Sequence, residues 1–248
     1  MIFRLTARVI GLAQVSQRDH QMSLLAHLLL LPRTSRSLSD VVRFESVLHL
    51  NYYTPIDRIL RPIRIHTPRF SAMKAGDSVL DVCCGTGDQA VHYATRGIIA
   101  AGIDLHPQMI AVAEKKRRKR GLENASFQRG DAENLPFKDS SFDCATICLA
   151  LHEKESGARD KVVSEMRRVV REEGTLVFID YAVPQPRGVF ACSARVVESI
   201  AGRDHFRCFK EYIDEGGLDE LLRRNYLRQE RRGLILRDTI VMVATRNV

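Results

Sequence analysis

From residue 76 the chain alternates short apolar runs with amphipathic stretches. Ser78–Val82 predicts a strand with Asp81 near its end, Gly85-Thr86-Gly87 a turn, and 88–96 a helix. A second strand is predicted over 98–104, followed by a helix from Pro107 to Arg120 that stops at Gly121. Strands over 125–128 and 142–149 follow. The latter is almost continuously apolar, as a strand buried on both faces should be. Val162, Val163, Met166 and Val169-Val170 share one face of a helix predicted over 159–171, which stops at Glu173-Gly174. A fifth strand is predicted over 175–181. Strands in alternation with helices imply a parallel sheet covered on both faces.

Outside this block the pattern is less regular. Residues 40–75 read as helical and partly apolar, punctuated by Pro55, Pro62 and Pro68. After Pro184 and Pro186 an insert is expected over about 184–224, helical to about Gly202 and again over 210–224. Two closing strands are predicted over 226–235 and 239–245, joined at Arg237-Asp238. The expected organisation is a poorly ordered basic extension over 1–39, a helical lid over 40–75, and one domain over 76–248. Residues 24–31 are the most apolar run, but eight residues fall short of the ~20 that span a bilayer. Residues 1–39 are Arg- and Ser-bearing and acid-poor, as transit peptides are, but the plainer reading is a leader or an extension ahead of a start at Met22.

Composition narrows the class without changing this picture. The chain has 248 residues, of which 45% are hydrophobic and 27% charged, an ordinary globular balance that excludes collagen-like or wholly disordered chains. The net charge of +8 invites a nucleic-acid reading, but the charge is local. Residues 1–39 carry +4, residues 115–120 carry +6 and residues 223–232 carry +4, so the remainder is acidic at −6. Tryptophan is absent, and no basic patch is interleaved with stacking rings. The default for 115–120 is a solvated helix end. The sharper option is contact with an anionic membrane surface. The six cysteines form no CxxC pair or Cys/His zinc spacing, so a reducing, cytoplasmic setting is expected and no metal site is read from spacing.

Three elements carry candidate chemistry. In Val79-Leu80-Asp81-Val82-Cys83-Cys84-Gly85-Thr86-Gly87-Asp88 a strand ends in a carboxylate and a glycine turn opens a helix. Asp104 ends the second strand, where a carboxylate can accept both hydroxyls of a ribose. Gly130-Asp131-Ala132-Glu133-Asn134-Leu135-Pro136-Phe137 is the third element, with Phe142-Asp143 following it. Ligands of open α/β sheets bind beyond the carboxyl ends of strands, where these elements are expected.

On these residues the chain resembles the class I S-adenosylmethionine-dependent methyltransferases over 76–181. Its two loops are similar to those of the ubiquinone and menaquinone methyltransferases. The resemblance implies a Rossmann-like, doubly wound α/β fold with a mostly parallel seven-stranded sheet, helices on both faces and an N-terminal helical lid. It implies S-adenosyl-L-methionine as cofactor, with Asp81 near its methionine end, Asp104 and Leu105 at its ribose, and Asp131-Ala132 flanking its adenine. Cys83, Gly85, Gly87 and Met109 complete the expected cofactor set. Cys83 stands where the family often has a glycine, a substitution expected to be tolerated if φ stays negative.

The resemblance also implies methyl transfer to a small or lipid-like acceptor, with quinone-type molecules as a lead. His152 follows the fourth strand and is the first candidate for a base or an orienting group, with Tyr181 behind it. A histidine bonded to a loop carbonyl is the bland alternative for His152. Asp204-His205-Phe206-Arg207 lies in the insert, as a substrate-selecting segment or a surface loop. Tyr52 and Tyr53 fall in the lid, as packing or lining residues. The rival fingerprint is a nicotinamide site, since Gly85-x-Gly87-x-x-Ala90 fits G-x-G-x-x-G/A, but that pattern gives no role to Asp81 or Gly130-Asp131-Ala132. The functional alternatives are a cofactor-binding module without turnover and a nucleic-acid methyltransferase.

Overall fold

The computed structural model describes residues 60–248. Residues 1–39, most of the expected lid, and Tyr52 and Tyr53 lie outside the described residues. Helix α1 covers residues 60–70 and buries Leu60 and Ile63. Seven strands follow: β1 (Ser78–Val82), β2 (Ile99–Asp104), β3 (Ala125–Arg129), β4 (Phe142–Cys148), β5 (Val170–Tyr181), β6 (Gln229–Ile235) and β7 (Ile240–Arg246). Between them lie α2 (Asp88–Ala94), α3 (Pro107–Lys119), α4 (Ser156–Val169), α5 (Val189–Ile200), α6 (Arg203–Asp214) and α7 (Gly217–Arg224).

The strands form one sheet in the order β3-β2-β1-β4-β5-β7-β6. β1 to β5 are parallel, and β7 runs antiparallel to both β5 and β6. The chain moves outward from β1 through β2 to β3, then returns across β1 to β4. Right-handed crossovers put α2 and α3 on one face and α4 on the other. The order reverses between β1 and β4, so a crevice opens beyond the carboxyl ends of those strands.

Local chemistry explains the main boundaries. Pro107 occupies the first turn of α3, where its missing N–H costs nothing, and Gly121 takes a φ of +60° just past its end. Helix α4 buries Val162, Val163, Met166 and Val169 against the sheet, each such side chain contributing about 1.5–3 kcal/mol. It ends at Val169 rather than at Arg171, because β-branched Val169-Val170 favour the strand that follows. The Asn247 amide also caps the freed carbonyls of Arg167 and Val170, at 2.9 and 2.7 Å. The helix expected over 210–224 is two helices. Gly216 and Gly217, with φ of +97° and +64°, turn the chain between them.

Candidate active site

Asp81 lies at the carboxyl end of β1, directly opposite Thr146 of β4. It is 2% exposed. Its Oδ1 accepts hydrogen bonds from Thr146 Oγ1 at 3.0 Å and Gln89 Nε2 at 3.1 Å. Its Oδ2 is equally buried and has no hydrogen-bond partner among the described residues. Burial pushes the carboxyl up to about 7, against the opposing hydrogen bond from Thr146 and the charge of Arg64. A buried acceptor without a donor costs about 1–3 kcal/mol, which a proton on the carboxyl or an N–H-bearing ligand would relieve.

The glycine turn is stitched to the next strand. Cys84 N–H bonds the Ile103 carbonyl at 2.9 Å, and Gly85 N–H donates to Asp104 Oδ2 at 2.8 Å. Asp104 Oδ1 accepts the His106 N–H at 2.9 Å, so one carboxylate holds both the turn and the entry to α3. A carboxylate offers about four acceptor positions, leaving room for further donors. The two glycines do different work. A Cβ on Gly85 would point into open space, whereas one on Gly87 would lie 2.6 Å from Ala113 Cβ and 2.7 Å from the Phe127 ring. Gly85 therefore opens a ligand cradle, and Gly87 lets α3 and β3 pack.

Cys83 departs from expectation. Its φ is +53°, in the left-handed region, not negative. That conformation costs a residue with a Cβ roughly 1–2 kcal/mol. Burial pushes its thiol up to about 12, so it is no nucleophile.

Farther along the crevice, Leu105 is half exposed and Met109 and Ala132 are buried. Asp131 closes an Asx turn, accepting the Glu133 N–H at 2.9 Å. Asp143 lies at the opposite, amino ends of the strands. It opens β4 and accepts the N–H and Oγ of Ser78 at 2.7 and 2.9 Å, a structural role away from the crevice.

The carboxyl ends of β4 and β5 bring His152 and Tyr181 together, with ring centroids 4.8 Å apart. His152 does not bond a loop carbonyl. Its Nδ1 meets Asp180 Oδ1 at 2.6 Å, and its Nε2 lies 3.5 Å from Glu198 Oε2 and 3.9 Å from Glu153 Oε1. Asp180 also accepts the backbone N–H groups of Leu151, His152 and Tyr181. Tyr181 OH donates to Glu198 Oε1 at 2.6 Å, and His205 Nε2 bonds Glu198 Oε2. Burial by itself would lower the His152 value, but Asp180 and then Glu198 overcome it and hold the imidazole well above its ordinary range. Asp180 and Glu198 carry no signal along the sequence, and His205, expected in a substrate-selecting segment or a surface loop, stands on α6.

Some cations of the two basic runs within the described residues are engaged in the fold. Lys116 reaches the glycine turn, donating to Thr86 Oγ1 at 2.8 Å and pairing with Asp88 at 3.4 Å, so one of the runs does touch a strand-end loop. Arg224 pairs with Asp160 and Glu215, and Arg223 with Glu220.

An antiparallel β7 between β5 and β6 departs from the 3-2-1-4-5-6 order of dinucleotide-binding sheets. Residues 79–174 match the methyltransferase domain family. Among curated relatives, demethylmenaquinone methyltransferase of Listeria welshimeri is 33% identical over 156 residues, covering 60% of this chain and 65% of that protein. The chain thus spans about 65% of the length of the curated relatives it matches. The uncharacterized methyltransferase YcgJ of Bacillus subtilis is 36% identical over 112 residues, 45% of this chain and 44% of that one. A solved S-adenosylmethionine-dependent methyltransferase from Aquifex aeolicus shares the fold, with a TM-score of 0.59 at 20% identity over 75% of this chain and 89% of that one. So does a geranyl diphosphate methyltransferase in complex with its substrate and sinefungin, with a TM-score of 0.57 at 14% identity over 77% and 78%.

Proposed function

We propose that this protein transfers a methyl group from S-adenosylmethionine to a small or lipid-like acceptor, with a quinone-type molecule as the leading case. The observation that carries the reading is Asp81 Oδ2, a buried acceptor without a partner at the point where the strand order reverses. The methionine ammonium of the cofactor supplies the N–H donors this atom lacks. Gly85 leaves the space beside it open, and Asp104 has acceptor capacity for the ribose hydroxyls. Leu105, Met109 and Ala132 offer apolar surface for the adenine, with Asp131 beside them. Cys83 and Gly87 shape the turn from the packing side.

The bound cofactor supplies an electrophilic methyl, so the chain mainly has to position a nucleophile. Orientation of that kind contributes about 7–11 kcal/mol in favourable cases. His152 and Tyr181 hold fixed directions through Asp180 and Glu198, and they line the acceptor side as orienting groups. A quinone-type acceptor is supported by the name of the Listeria relative. No helix of the described residues is long and apolar enough to cross a membrane, so a lipid-like acceptor would be met at a surface or within the crevice.

The test is incubation of the protein with methyl-labelled cofactor and either a demethylated quinone or a lipid extract, with products identified by mass spectrometry. A labelled quinone-type product supports the full reading. Label in a polar small molecule or in RNA would reassign the acceptor. No labelled product, with cofactor binding intact, would leave a binding module and refute methyl transfer.

A further inference from the structure

His152, Glu198 and His205 come from the β4–α4 loop, α5 and α6, and each offers one ligand atom within 4.8 Å of the others. The chemistry of the three is complementary. Tyr181 OH occupies Glu198 Oε1, which leaves Oε2 facing the two imidazoles. Asp180 takes His152 Nδ1, which leaves Nε2 facing the same point. A carboxylate behind a histidine that presents its other nitrogen is the arrangement that orients metal-bound imidazoles and raises their basicity. Glu153 Oε1, at 3.9 Å from His152 Nε2, adds a fourth oxygen at the rim.

Charge makes the same demand. Asp180 and Glu198 are buried and Glu153 is close by, and among the described residues their ion-pair partners are the two histidines. Buried carboxylates require compensation, from protons or from a metal. Bonds of ~2.0–2.2 Å from zinc to nitrogen or oxygen place tetrahedral ligand atoms about 3.3 Å apart. The separation of 3.5 Å between His152 Nε2 and Glu198 Oε2 is close to that, and all three ligand atoms lie within 4.8 Å of one another. His205 is the most exposed of the three, with 21% of its side chain accessible, and gives an entry path.

We propose that His152, Glu198 and His205 form a binding site for one divalent transition metal of the zinc type, with Glu153 available as a fourth ligand. Two imidazoles and a carboxylate suit zinc, iron or cobalt over magnesium or calcium. Metal binding stands independently of the methyl-transfer reading. Its use in holding an acceptor oxygen beside Tyr181 rests on that reading.

The full chain, stripped with chelator and dialysed, is titrated with Zn²⁺ by calorimetry, with metal content counted by mass spectrometry. The cofactor is left out, so failure here says nothing against cofactor binding. One ion per chain is expected. Glu198→Gln and His205→Ala should abolish tight binding with unchanged circular dichroism, and Asp180→Asn should weaken it about 10–100-fold. The chain also has six free cysteines, so Co²⁺ substitution of the wild type supplies the second measurement. Visible bands of nitrogen and oxygen ligation without a thiolate charge-transfer band are expected, and they decide the matter if the variants do not fold. No binding, a thiolate band, or equal affinity in His205→Ala and wild type would overturn the site.

Discussion

Thr146 Oγ1 donates to Asp81 Oδ1 at 3.0 Å, and the two residues are direct partners across the β1–β4 pair. This bond engages one oxygen of the Asp81 carboxyl, and the other oxygen has no hydrogen-bond partner among the described residues. The strand reversal between β1 and β4 thus does two things at once. It opens the crevice, and it leaves an ionisable group at the bottom.

The first prediction concerns pH. Folding raises the Asp81 value from 3.8 to about 7, so the folded chain favours the protonated form. Its contribution to stability is complete below about 4 and is lost as pH rises through 7, a cost on the order of 4 kcal/mol. Ligand-free wild type should therefore lose stability relative to Asp81→Asn across that window, measured by urea denaturation at a series of pH values. Cofactor binding should run the other way, tightening about tenfold per pH unit up to 7 and then levelling. In Asp81→Asn that slope should vanish.

Gly85 and Gly87 should separate binding from stability. Gly85→Ala meets open space and should lower cofactor affinity, with a stability loss of only about 1–2 kcal/mol from its positive φ. Gly87→Ala drives a methyl into Ala113 and Phe127 and adds overpacking of about 1–3 kcal/mol to the same strain. Thermal unfolding together with calorimetric titration distinguishes the two. Similar losses in both would contradict the assignment of the cradle to Gly85.

Cys83 holds a left-handed backbone with a side chain that gains nothing from it. Cys83→Gly relieves that strain but frees the unfolded chain, so stability should change by less than about 1 kcal/mol and cofactor binding should persist. Cys83→Val, β-branched at positive φ, should cost more than about 2 kcal/mol. Paired denaturant titrations of the two variants check this.

Arg159 is fully buried on α4 and donates to the Leu151 and Cys208 carbonyls and to Glu215 Oε2, at 3.2, 2.9 and 2.9 Å. It ties α4 to α6 and steadies the residue before His152. Arg159→Ala should lose about 3–5 kcal/mol by leaving these partners unpaired in the interior. Chemical denaturation measures the loss. A change under about 1 kcal/mol would show that the network is slack.

The sheet was legible because its signals are local. The Ser78–Val82 pattern matches β1 end to end, and Pro107 marks the first turn of α3. Asp81 and Asp104 could be placed because each ends a strand ahead of a turn. The cluster around His152 could not. Asp180, Glu198 and His205 meet it from segments separated by 28 residues or more, joined only by the fold of the insert. Spacing rules for metals and relays read neighbours along the chain and miss such convergence. Cys83 misled for a related reason. Its backbone sign is set by the Cys84 bond to Ile103 and the Gly85 bond to Asp104, both across β2, and not by its own preference. Asp143, expected to open the fourth strand, does so and holds the start of β1 at the amino ends of the strands.

The central claim is that Asp81 and Asp104 hold S-adenosylmethionine at the carboxyl ends of β1 and β2. The most direct measurement is calorimetric titration of S-adenosylmethionine into the full-length wild type, Asp81→Ala and Asp104→Ala at one pH above 7. The account predicts one site per chain in the wild type and a loss of affinity of about 10–100-fold in each variant, the worth of a hydrogen bond to a charged group. Absence of binding in the wild type, or equal affinity in all three proteins, would contradict it.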